Sequence, residues 1–146
     1  MAAIWNTIWP LILGVIGYIL ASFVGGPVRR LFDLSTEVRR QMHYRGNVTV
    51  PKREPLLSTD DGIVEFQQKQ ERLEQAQKVF RDLGAQLIAF GETERLACFV
   101  LRMFRIDPER AGRGLIGLSN ELPTYSVARA AFRRQIEEAL RIRTGS

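Results

Sequence analysis

Gly112-Arg113-Gly114-Leu115-Ile116-Gly117 is a literal G-x-G-x-x-G string. In dinucleotide-binding folds that spacing follows a strand and opens a helix, so that backbone N–H groups and the helix dipole meet a pyrophosphate. Here Asp107-Pro108-Glu109 already opens a helix, with Asp as the cap, Pro at the first helical position and Glu beside the positive end of the dipole. The glycines therefore fall inside a helix, where each costs on the order of 1 kcal/mol relative to Ala. Close packing of two helices explains them better than phosphate binding.

The other residues capable of chemistry are isolated. Cys98 lies among Leu96, Phe99 and Val100 and reads as a buried, inert thiol. His43 has Arg40 where a Glu-x-x-His motif needs its carboxylate, and reads as a residue facing solvent or headgroups. Asp60-Asp61 suits a helix cap, and Glu137-Glu138 the solvated face of an amphipathic helix. One Cys and one His in 146 residues exclude a disulfide framework and a zinc site built from those ligands alone. No catalytic, cofactor-binding or metal-ligating residue is assigned. The expectation is a protein that is not an enzyme and carries no cofactor.

The charge distribution is more informative. All 21 basic and 16 acidic residues fall after residue 27. From Ile4 to Val24 the chain reads IWNTIWPLILGVIGYILASFV, and as a helix it would rise about 31 Å, close to a hydrocarbon core of about 30 Å. Trp5 and Trp9 suit the interface. Pro10 is best placed in a first turn, so the helix is expected to start around Ile8 with Asn6 or Thr7 as cap. Gly25-Gly26-Pro27 is expected to break it. A cleaved signal peptide would have a basic leading stretch and a small residue where Phe23 stands. Residues 1–27 are therefore expected to be an uncleaved transmembrane anchor.

Arg29, Arg30, Arg39, Arg40 and Arg45 follow directly, whereas no Lys or Arg precedes the apolar run. That asymmetry predicts a single-pass protein with its N-terminus outside and its C-terminus cytoplasmic. The layout resembles small bacterial single-pass proteins in general, which makes a bacterial inner membrane the expected location. The sequon at Asn47 would then stay unmodified. The same arginines are expected to hold their helix near anionic lipid headgroups, at about 1 kcal/mol each. Gly14, Gly17, Ala21 and Gly25 form a stripe of small residues, the pattern by which membrane helices approach one another.

The polar body reads as all-α. Residues 28–45 are a basic juxtamembrane helix with Val28, Leu31, Leu34, Val38 and Met42 on one face, and residues 46–59 are a linker with two prolines. Residues 60–146 form a cytoplasmic four-helix region. Its first helix runs to about Phe90, with Phe66, Leu73, Phe80 and Leu87 repeating every seven residues and Ala76, Leu83 and Phe90 between them. These seven are expected to be bundle core or a seam for a partner, and Gly91 a C-cap. Leu96, Phe99, Val100, Met103 and Phe104 mark the second helix, and the third stops before Pro123. The last helix begins at Thr124 or Ser126 and reaches about Ile142, with Val127, Ala131, Phe132, Ile136, Ala139 and Leu140 inward. About 84 residues make a marginal core, a physical reason to expect a partner.

The net charge of +5 is spread over several helices with interleaved acids, which disfavours nucleic acid. The expected function is a membrane-anchored adaptor, or a small accessory subunit of a membrane complex, that binds another membrane protein or a second copy of itself. The alternative is a sensor of anionic lipid surfaces, or a membrane-perturbing effector, acting through the basic juxtamembrane helix.

Overall fold

The computed structural model describes residues 2–45, 60–124 and 126–142, and all regular structure among them is helical. The elements are α1 (Ala2–Leu20), a π-helical turn (Ala21–Gly25), α2 (Gly26–Arg45), α3 (Asp60–Thr93), α4 (Arg95–Met103), α5 (Pro108–Glu121) and α6 (Val127–Leu140). The linker, the Asn47 sequon and Tyr125 lie outside the described residues.

The N-terminal part departs from expectation in two places. The helix begins at Ala2, so Pro10 lies inside it and not at its start. Gly25-Gly26-Pro27 does not break the chain either, because α1 continues through the π turn into α2 without a coil residue. The physical reason lies in Pro27. It has no N–H, and its ring would clash with the carbonyl four residues back in a regular α-helix. One widened turn relieves both problems while the helix continues.

Helix α2, read from the sequence as a juxtamembrane helix outside the four-helix region, is a wall of the bundle. Leu31, Val38 and Met42 are at most 1% exposed, and they join the same hydrophobic core as α3, α5 and α6. Val28 and Leu34 pack at its margin, as their spacing predicts.

The two longer packing seams are antiparallel. On α3 and α5, Gly84 meets Gly112, Gly91 meets Glu109, and the Arg81 guanidinium donates to Asn120 Oδ1 at 3.0 Å. On α5 and α6, Gly114 faces Ile136, Gly117 faces Phe132, and the Asp107 N–H donates to the Ala139 carbonyl at 2.9 Å. Helix α5 is thus the middle layer between α3 and α6. Its start matches the sequence signal: Asp107 accepts from the Arg110 N–H at 3.0 Å and Pro108 is the first residue of the helix.

Two helix details differ from expectation. Helix α3 runs through Gly91 to Thr93, so Gly91 is not a cap. Its absent side chain instead admits Glu109, whose Cβ would lie 3.3 Å from an added one. Helix α6 ends at Leu140, close to the expected Ile142, and is capped by Arg141, a left-handed residue whose N–H and that of Ile142 satisfy the carbonyls of Glu138 and Glu137. Val127, expected inward, is 91% exposed at the first position of α6, and Ala131 is also exposed.

Candidate functional site

The glycines of the G-x-G-x-x-G string are consumed by packing. A Cβ on Gly112 would lie 2.6 Å from the Gly84 carbonyl oxygen, and one on Gly84 would lie 2.8 Å from that of Gly112. The two backbones therefore cross in direct contact. Gly114 and Gly117 turn to the opposite side, where an added Cβ would lie 2.9 Å from Ile136 and 2.5 Å from the Phe132 ring. Three glycines serve two neighbouring helices, so no backbone N–H array faces open space for a phosphate.

Cys98 and the polar side chains of the α5–α6 turn are bound up in local structure. The Cys98 Sγ lies 3.7 Å from the Gly91 carbonyl oxygen, and burial pushes the thiol pKa up, away from a reactive thiolate. The cavity beside it, between Gly91, Cys98 and Pro108, is about 20 Å³, room for little more than one water. The Ser126 hydroxyl opens α6 but donates to Glu121 Oε2 at 2.6 Å, and Thr124 Oγ1 donates to the same oxygen at 3.0 Å. These bonds hold the Glu121 carboxyl below the usual carboxylate range. Among the described residues, no cluster of His, Cys, Asp or Glu could hold a metal ion.

Seven positions on α3 carry the heptad-like pattern. Leu73, Ala76, Phe80, Leu83, Leu87 and Phe90 are buried, whereas Phe66, about four turns beyond the Arg81–Asn120 contact with α5, is half-buried. The small-residue stripe lies apart from this core. An added Cβ at Gly14, Gly17 or Gly25 would meet nothing within 4 Å, and Ala21 is exposed.

The five arginines are not brought together. Because α2 runs on from the π turn as one rod, Arg29 and Arg30 stand within about 8 Å of Gly25 along the axis, whereas Arg39, Arg40 and Arg45 stand about 20–30 Å beyond it. Arg40 is also engaged, donating to Glu37 Oε1 at 2.8 Å, an oxygen that accepts from Gln41 at 2.7 Å. Arg40, Arg45 and Arg72 line an open cleft of about 460 Å³ between α2 and α3.

Sequence reasoning missed a surface on α4. This helix packs inward through Ala97 and Leu101, with Cys98 at the core margin. Three other apolar residues face out, with Leu96 65% exposed, Phe99 70% and Met103 75%, and so does Phe104 at its C-cap, 62%. The available signal was a short helix apolar on both sides, which fits neither a surface helix nor a half-buried one.

Among the described residues, one helix is long and apolar enough to cross a membrane, and none of its apolar window is buried against the rest of the chain. Comparison of the chain with family models, curated proteins and solved structures finds no match in any of the three.

Proposed function

We propose that this chain is a membrane-anchored, non-enzymatic interaction protein, an adaptor or accessory subunit that holds a helical bundle at the cytoplasmic face of a bacterial inner membrane. One observation carries the reading: an apolar helix with no buried residue in its apolar window is continuous, through the π turn, with a helix that forms part of the bundle core. A rod of that kind fixes the bundle at a set height above the bilayer. Its partner is another membrane protein or a second copy of this chain, and the unpartnered stripe of Gly14, Gly17 and Ala21 is the surface within the bilayer best suited to meet it. The orientation, N-terminus outside, rests on Arg29 and Arg30 at the exit of the apolar run.

The lipid-sensor alternative is disfavoured in its original form, because α2 would need its apolar face for the membrane and that face is buried in the bundle. Two measurements test the proposal. The full chain should remain in the membrane pellet after an alkaline carbonate wash, and its release would remove the anchor. Crosslinking in native membranes followed by mass spectrometry should recover one stoichiometric partner or a defined oligomer, and recovery of monomer alone would remove the adaptor role.

A further inference from the structure

We propose that α4 is a second membrane contact, an interfacial helix whose outward face of Leu96, Phe99, Met103 and Phe104 lies in the headgroup–acyl boundary of the bilayer that the N-terminal helix enters. The inference rests on reading α1 as a membrane span.

Three observations place α4 at that level. First, α4 packs directly against the π turn, Ala21–Gly25, the end of the apolar run. Second, α2 and α3 form an antiparallel hairpin, since Arg40 to Arg45 share a cleft with Arg72 and Gln75. From that cleft α2 runs back about 20 residues to the π turn, and α3 runs forward about 20 residues to Thr93. At about 1.5 Å per residue, both return about 30 Å to the same height. Third, α4 follows α3 after a single non-helical residue, Glu94, so it begins at that height.

The chemistry of the face matches the site. Four long apolar side chains, each well over half exposed, would be an aggregation liability in water. At the interface they are covered by acyl chains, as in other amphipathic helices that lie in the plane of a membrane. The basic residues are placed to reach the headgroups. Arg95 and Arg102 lie on one flank of α4, two turns apart, and Arg105 follows in a left-handed conformation (φ 57°) at its end. Their long stems can cover apolar surface while the guanidinium meets anionic lipid phosphate. A second copy of the chain could cover the same face. It would not account for the coincidence of this face with the end of the span.

The test uses the full chain in vesicles of mixed phosphatidylcholine and phosphatidylglycerol. In a Cys98→Ser background, a single environment-sensitive fluorophore is attached at Phe99→Cys, Met103→Cys, Val15→Cys or Glu74→Cys, all exposed positions. Lipids carrying a nitroxide quencher at shallow or deep positions report depth. Expected are blue-shifted emission with shallow quenching at positions 99 and 103, deep quenching at 15, and water-like, unquenched emission at 74. Deep quenching at 15 with water-like emission at 99 and 103 would overturn the interfacial helix and leave the anchor standing. Blue-shifted but unquenched labels at 99 and 103 would mean that protein covers the face, which also overturns it. Absence of quenching at 15 would instead overturn the membrane reading itself.

Discussion

Gly84 and Gly112 leave no room for a methyl group on either side of their crossing, because the obstacle in each case includes a backbone carbonyl that cannot rotate away. Gly112→Ala should therefore destabilise the bundle by up to about 2 kcal/mol, the overpacking cost of about 1–3 kcal/mol being offset by about 1 kcal/mol of helix propensity. Gly117→Ala meets only the half-buried Phe132 ring, which can shift, and should cost less. Gly14→Ala should cost nothing. Chemical denaturation of the three variants in mild detergent checks this order, and equal midpoints would remove the backbone crossing. A second expectation concerns Glu121, whose pKa is lowered by the hydroxyls of Ser126 and Thr124. A carboxyl lowered on folding stabilises the fold above the ordinary glutamate range, and that contribution is lost as pH falls through the range and below it. Glu121→Gln should thus narrow the difference in melting temperature between neutral and acidic buffer. An unchanged pH dependence would detach the α5–α6 turn from this carboxylate.

Helix α3 contributes more core residues than any other helix, and among them Phe80 is fully buried. Phe80→Ala should cost about 3–5 kcal/mol. Leu31 on α2 offers the sharper test, because a helix lying on lipid would tolerate its loss. Since Leu31 is 1% exposed within the bundle core, Leu31→Ala should cost about 2–5 kcal/mol in detergent. An unperturbed melt would take Leu31 out of the bundle core. The heptad-like spacing on α3 and the Asp-Pro-Glu start of α5 were both legible as sequence, since each depends on neighbours within a turn or two. The continuity of α1 and α2 was not. Gly25-Gly26-Pro27 has the composition of a break, and only the option of a π turn, which satisfies the ladder around Pro27, lets the helix run on.

The whole molecule is a rod with a bundle folded back along its polar half. The chain leaves along α2, returns along α3, and reaches the level of the π turn at α4. Arg29 and Arg30 are the first charges to follow the apolar run along the chain, so replacing both with Glu should raise the fraction of inverted molecules, read by protease protection of a C-terminal tag. Unchanged orientation would take these two residues out of the topology argument. The same architecture explains why the basic charge of residues 28–45 does not act as one patch: a straight helix spreads five arginines over more than a Debye length of about 8 Å.

Hydrophobic periodicity and end signals were enough to predict an all-helical chain, to separate an uncharged apolar run from a polar body, and to identify the buried residues of α3. These are local properties, set by the 3.6-residue turn and by hydrogen-bond satisfaction at helix ends. Which apolar face meets protein and which is left bare depended on the packed fold. Periodicity reports that a face is apolar without reporting its neighbour, because a protein core and an acyl chain are equally good apolar surroundings. The face of α2 was free to serve either and went into the core, while that of α4 was left exposed once Ala97 and Leu101 had taken the inward side. The glycines of α5 follow the same logic: a missing side chain gains meaning only from the backbone that occupies the space.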